Sequence, residues 1–465
     1  MERKTARPHD IVFGNTKGKP DSEVDMVAKR VAQSAGLSCG YGVTEHGNKC
    51  ADGPHCRNFF LHKFRHTFAT NHRRDDVDTR TVQAWMKHPI SDPVISRRSF
   101  LGAGTSIGAS LLLGRKAEAS AAQTSTSQEK SNLSSHTFST PRHTTLYWRA
   151  GPADRPLMIF LHGWPEIGLV WRAQIESFAS EGWHCVAPDM RGYGSSSAPK
   201  ASEAYALQEI VQDMVELHDH LGAHPAIWVG HDLGSPVVGA LAAHHPERSR
   251  GVVFVSVPYF PEAFALPSLL PLVDRQLYPA DQYPDGQWDD YRFYLTHFDQ
   301  TVTDFDADIP ATLAAIYRSG NPASVGKLYR SALVTRNGGW FGSAHHAPVV
   351  TPDPALWPAT DFGALVAAFR VSGFRPGNSW YLNDTANLAY ARAAPERGRL
   401  HQPVLFINGD FDGLCDINHN RVGEPMRDTC KDLSVTSLPA GHWLPLERKT
   451  ESVQAIRSWL KAKGL

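Results

Sequence analysis

Ala226-Ile227-Trp228-Val229-Gly230-His231-Asp232-Leu233-Gly234-Ser235 is the stretch that decides how this chain folds. An apolar run enters a turn bracketed by glycines, and a helix-compatible stretch, Val237 to His244, leaves it. This is the strand–turn–helix pattern of a nucleophile elbow, G-x-S-x-G, with Asp232 where the serine would stand. The glycines are there because so tight a turn has no room for side chains beside the reactive residue. The aspartate changes the chemistry. A serine attacks a carbonyl. A carboxylate instead attacks a saturated, electrophilic carbon, and the ester it forms is then hydrolysed at its own carbonyl.

Outward from the elbow, strand-like and helix-like segments alternate, which predicts a largely parallel sheet. The strand candidates are 147–151, the later strand of an opening hairpin, then 156–162, 183–188, 226–230, 251–257, 403–408 and 434–438. With the hairpin's first strand they make eight. The span between Val257 and Pro403 is rich in Trp, Tyr, Phe and Pro without a strand rhythm. It reads as a helical lid over the strand ends, where open parallel sheets bind ligands.

Five motifs then follow strands in order. They are His162-Gly163-Trp164-Pro165-Glu166, Asp189 to Ser196, the elbow, Gly409-Asp410-Phe411-Asp412-Gly413 and Gly441-His442-Trp443. Nucleophile, acid, histidine is the order of the α/β-hydrolases, and residues 137–465 resemble that family. Within it, the H-G-W-P-E loop, the R-G-Y-G-x-S and G-H-D-x-G motifs and the lid segment Asn378-Ser379-Trp380-Tyr381-Leu382-Asn383 resemble the epoxide hydrolases.

That resemblance implies roles. Asp232 is the nucleophile and His442 the general base for ester hydrolysis. Asp412 is the acid that orients His442, with Asp410 and Asp416 as competing choices in the same loop. Backbone N–H groups of Trp164 and Leu233 form the oxyanion hole. Tyr381 and Tyr291 donate protons to the ring oxygen, with Tyr294 as the alternative to Tyr291. Two phenols, of ordinary pKa about 10, are far stronger acids than the alcohol that ring opening produces. His231 shapes the elbow without a proton-transfer role. The expected partners are a small apolar epoxide and water, and no cofactor or metal is implied. A dehalogenase would share Asp232, His442 and the ester. However, halide release needs N–H donors, and Leu233, next to the nucleophile, has no side-chain donor. A dehalogenase or another α/β-hydrolase remains the alternative.

The rest of the chain has different origins. Of 465 residues, the first hundred hold 17 Lys+Arg against 11 Asp+Glu, a basic piece in a chain of zero net charge. Residues 56–88 resemble the C-terminal half of tyrosine recombinases. His62 and Arg65 match that family's H-x-x-R box and His88 its later His/Trp position. No tyrosine lies between Tyr41 and Tyr147, so the family's nucleophile is missing. Segment 1–90 therefore reads as a small, mainly helical, inactive fragment with residual DNA binding as its alternative function. Cys39, Cys50, Cys56, His46 and His55 match no metal-site spacing. Segment 91–122 resembles a twin-arginine export signal. It has Arg97-Arg98, a modest apolar stretch from Leu101 to Gly114, and small residues around Ala121. Residues 123–139 read as a disordered Ser/Thr-rich linker. The hydrolase would then comprise core segments 140–258 and 401–465 around a lid at 259–400. Export to the periplasm or beyond is expected if translation starts near Met86, and a cytoplasmic protein if it does not. No apolar run approaches a membrane span of about 18 residues, so no membrane anchoring is expected. The oligomeric state is not legible. Cys415 and Cys430 could pair in an oxidising compartment.

Overall fold

β3 (Leu157–Leu161), β4 (His184–Pro188) and β5 (Ala226–His231) are buried at every position. Such unbroken apolar runs suit central parallel strands covered on both faces. The computed structural model of the protein describes residues 133–465. In it these strands lie in one eight-stranded sheet of order β1-β2-β4-β3-β5-β6-β7-β8. β1 (Ser134–Ser139) and β2 (Thr144–Ala150) pair antiparallel, and β2 joins β4 antiparallel. From β4 to β8 every pairing is parallel, through β6 (Ser249–Val255), β7 (Leu400–Gly409) and β8 (Cys430–Leu438). This is the α/β-hydrolase fold that the motif order predicts.

Helices cover the sheet. α1 (Arg172–Ser180), α2 (Leu207–His220) and α3 (Gly234–His244) come from the first half of the chain. α2 packs against α3, and α1 against the C-terminal helix. Between β6 and β7 the chain forms helices and turns without a strand. They include α4 (Asp289–Thr296), α5 (Ala359–Ser372) and α6 (Asp384–Arg392). The C-terminal helix is α7 (Lys449–Lys463).

Several sequence expectations are corrected. Residues 134–139, read as the end of a disordered linker, form β1. Their Ser/Thr-rich side chains sit on an exposed edge, and backbone pairing with β2 together with the stacking of Phe138 on His220 orders them. β6 stops at Val255 rather than 257, because Ser256 turns the chain into the left-handed region at φ +63°. His184 is buried in β4 as expected for a strand histidine, but its Nε2 has no hydrogen-bond partner among the described residues. Burial, helped by Arg149, lowers its pKa to about 4 and keeps it neutral. Cys415 and Cys430 are both free, buried thiols, so they do not form the disulfide considered. The recombinase-like segment with His62, Arg65 and His88, the export-signal segment and the linker up to residue 132 lie outside the described residues.

Candidate active site

Asp232 leaves β5 at φ +48°, a strained backbone for a residue with a side chain. The strain points its carboxylate away from the strand and toward the loop after β3. That loop must come very close. A Cβ on Gly163 would fall 2.6 Å from the Leu233 nitrogen, and one on Gly234 would fall 2.8 Å from the His162 oxygen. Both positions therefore exclude a side chain. The closeness lets the Trp164 N–H donate to Asp232 Oδ1 at 2.6 Å. The Leu233 N–H makes no hydrogen bond among the described residues. It lies against the same Gly163 loop.

The second carboxylate oxygen faces the histidine. His442 Nε2 is 3.2 Å from Asp232 Oδ2, and His442 Nδ1 is 2.9 Å from Asp412 Oδ2. Asp412 also accepts the Leu414 N–H at 3.0 Å. Its two rivals are occupied elsewhere. Asp410 accepts from Asn408 and Asn418, and Asp416 from Asn408 and the Asn418 N–H. All three acids occupy one loop, yet only Asp412 reaches the imidazole.

The electrostatics are strongly coupled. Burial works to lower the His442 pKa, but Asp412 first, and then Asp232, outweigh it and hold it well above the ordinary histidine value. Burial likewise works to raise the Asp232 carboxyl. His442, His231 and the Trp164 N–H overcome that and keep it below its usual range. The resting site thus holds an imidazolium between two carboxylates.

Behind this set stands a strut that sequence reasoning missed. His231 Nε2 donates to the His442 carbonyl at 2.7 Å, and its Nδ1 faces Glu166 Oε2 at 3.0 Å. The same Glu166 oxygen accepts the Gly163 N–H at 2.7 Å. One buried carboxylate therefore ties the oxyanion loop, the elbow and the histidine loop together. Ser256 donates to the same His442 carbonyl at 2.9 Å. Glu447 joins Gly441, beside His442, to Gly320 of the lid. The available signal was the acid that ends H-G-W-P-E, buried with no lysine or arginine near it in sequence.

The lid brings its phenols over Asp232 through two indole bonds. Trp164 Nε1 donates to Asn378 Oδ1 at 2.9 Å, and Trp380 Nε1 donates to the Arg191 carbonyl at 3.0 Å. They pin the Asn378–Asn383 segment to the loops after β3 and β4, and Tyr381 lies between. The rings of Tyr381 and Tyr291, the latter on α4, meet edge to face at 4.9 Å. Both line, with Leu233, a small solvent-open cleft. Tyr294 stacks on Tyr381 at 4.3 Å, but its hydroxyl is buried without a partner and it is not among the cleft walls. Burial, then the Asp232 charge, raises the pKa of Tyr381 and Tyr291 well above the ordinary phenol value, so both rest protonated. Among the described residues, no group of three or more His, Cys, Asp or Glu could hold a metal ion. No described helix is long and apolar enough to cross a membrane.

A family model for the alpha/beta hydrolase fold matches residues 156–449. Epoxide hydrolase A of Mycobacterium tuberculosis is 30% identical over 320 residues, covering 67% of this chain and 92% of that protein. The chain belongs to the epoxide hydrolase family of α/β-hydrolases. Epoxide hydrolase B of the same organism is 31% identical over 344 residues, covering 66% of this chain and 93% of its own length. Among solved structures, Epoxide Hydrolase A from Mycobacterium thermoresistibile is similar, with a TM-score of 0.56 and 27% identity. That likeness covers 71% of this family member and 98% of the other chain.

The strut makes a stability prediction. His231→Phe leaves the buried Glu166 carboxylate and the His442 carbonyl without their shared partner. It should lower the unfolding free energy by about 3–5 kcal/mol, measured by urea denaturation. A loss below about 1 kcal/mol would mean that the strut does not hold the site together.

Proposed function

We propose that this chain hydrolyses epoxides to vicinal diols through an alkyl ester on Asp232. The observation that carries the reading is a carboxylate at the elbow whose two oxygens have different partners, with two protonated phenols in the adjoining cleft. Tyr381 and Tyr291 bind the ring oxygen and supply its proton. Asp232 Oδ2 attacks a ring carbon, the carbon–oxygen bond breaks, and a hydroxyalkyl ester forms. Oδ1 stays on the Trp164 N–H and becomes the ester carbonyl oxygen.

Alkylation removes the Asp232 charge that helped hold the His442 pKa high. The imidazolium then gives up its proton, which solvent carries to the tyrosinate that ring opening left, and becomes the base that activates water. Water adds to the Asp232 carbonyl carbon, and negative charge gathers on Oδ1 against the Trp164 and Leu233 N–H groups. An oxyanion donor of this kind is typically worth about 2.7–4 kcal/mol. Asp412 stabilises the reformed imidazolium. Collapse of the tetrahedral intermediate releases the diol and returns the carboxylate.

A single turnover in water carrying heavy oxygen tests the pathway. Peptide mass analysis should find the label in the peptide containing Asp232, with the first diol unlabelled. Label confined to the diol would mean that water attacks the epoxide directly.

The electrostatics give a second test. The acid limb of the kcat profile reports His442 in the alkyl-enzyme. Asp412→Asn removes the anion that most raises the His442 pKa. The limb should therefore move to lower pH, while kcat falls by about 10³–10⁴-fold and the ester accumulates as a mass adduct. A limb unmoved, or moved to higher pH, would remove Asp412 from its role.

For the N-terminal region, residues 1–85 are read as a recombinase remnant without strand-transfer chemistry, and 91–122 as an export signal. What supports this is the H-x-x-R box without a downstream tyrosine, and the order of the arginine pair, apolar stretch and small residues. The hydrolase then works outside the cytoplasm. N-terminal sequencing of the native protein should find the mature chain starting after the small residues near Ala121. An exported protein retaining residues before Met86 would contradict this.

A further inference from the structure

The cleft beside the nucleophile is apolar and aromatic along most of its wall, including Leu233, Val237, Phe264 and Trp380. Its polar members other than the two phenols are Tyr205, Asn387 and Asp384. Two of these are engaged within the fold. The Tyr205 hydroxyl donates to the Pro199 carbonyl at 2.7 Å, and Asn387 Oδ1 accepts the Leu207 N–H at 2.7 Å. Asp384, the first residue of α6, is the one charged side chain in the wall. Its Oδ2 accepts the Leu266 N–H at 3.1 Å. Its Oδ1 has no hydrogen bond among the described residues, and it is not one of the buried, partnerless atoms, so it meets open space. Among the described residues no cation lies within salt-bridge distance of it, and nearby Arg292 is paired with Asp285. Burial raises the Asp384 pKa to about 6 against the Leu266 N–H and Arg292, so the group is ionised at pH 8.

Asp384 thus lines the same cleft as Leu233 and both phenols, with one carboxylate oxygen tied to the fold and the other without a partner among the described residues. We propose that Asp384 is a specificity-determining residue. Its free oxygen accepts a hydrogen bond from a hydroxyl, or a similar neutral donor, carried on the substrate's chain away from the epoxide ring. The preferred substrate is then an apolar epoxide with a distal hydroxyl. A carboxylate at the same place is repelled. This inference rests on the epoxide reading above and sharpens it.

The test uses the full chain at pH 8 and three series of terminal epoxides of graded chain length. The series end in a methyl, a hydroxyl or a carboxylate group, and kcat/KM is measured for each. At the length that spans the cleft, the wild type should favour hydroxyl over methyl by about tenfold, since one polar group in a partly open site is being satisfied. The carboxylate series should be slowest. Asp384→Leu should reverse the order of hydroxyl and methyl. Asp384→Asn, which keeps an acceptor for Leu266, should retain part of the hydroxyl preference and lose the discrimination against carboxylate. Ratios of kcat/KM on one enzyme sample do not depend on its folded fraction, so loss of the Leu266 bond cannot imitate this result. An identical hydroxyl-to-methyl ratio in wild type and Asp384→Leu at every length overturns the role of Asp384 and leaves the epoxide reading standing. Failure of the wild type to hydrolyse any of the series overturns both.

Discussion

The Trp164 N–H can reach Asp232 Oδ1 only because the ends of β3 and β5 are neighbours in a parallel sheet and no side chain separates them. This 2.6 Å bond sets the geometry of everything else in the site. It takes one carboxylate oxygen out of play as a nucleophile and turns the other toward His442. It also requires glycine at 163 and 234 and a left-handed backbone at 232. The Glu166–His231 strut keeps that contact from relaxing, since the carboxylate that holds Gly163 also holds the histidine beneath His442. A strained residue persists in a fold only when its surroundings over-determine its place. Here bonds from two loops and one strand do so.

The charges form a cycle rather than a fixed arrangement. Two carboxylates share one imidazolium at rest, and forming the ester removes one of the three charges. In the proposed mechanism the group that is a counter-ion in the first half-reaction becomes a base in the second. The phenols feel the same charge. Burial first, and then the ionised Asp232, raises the pKa of both. In the proposed mechanism alkylation removes the smaller of these two effects and leaves burial in place.

Much of this was legible in the sequence because it is local. Apolar runs reported the central strands, and motifs at their ends reported Asp232, Asp412 and His442. What was not legible depended on distance or on small angular differences. Asp410, Asp412 and Asp416 share a loop, and it was the family resemblance rather than any spacing rule that put Asp412 first. Tyr291 and Tyr294 are one helical turn apart on α4, so periodicity puts both on one face. Only the packing on Tyr381 separates the ring that lines the cleft from the one behind it. Glu166 comes from the loop after β3 and His231 from the end of β5, and their bond exists only after the sheet has formed. β1 was expected as the first strand of the hairpin but not placed, because its composition is that of a linker. Pairing with β2 and the stacking of Phe138 on His220 give it its place.

In the proposed mechanism the ring-opening acids and the ester-cleaving groups lie on different parts of the chain. Tyr291 and Tyr381 belong to the insertion between β6 and β7, whereas Asp232, His442, Asp412 and the N–H donors belong to the sheet and its loops. The acids of the first half-reaction are therefore carried apart from the nucleophile that both half-reactions share. The insertion can be reshaped for new electrophiles while the sheet continues to cleave whatever alkyl ester results. Evolutionary change in what this protein accepts is free to concentrate in one segment. Change in how it completes a turnover has almost nowhere to go.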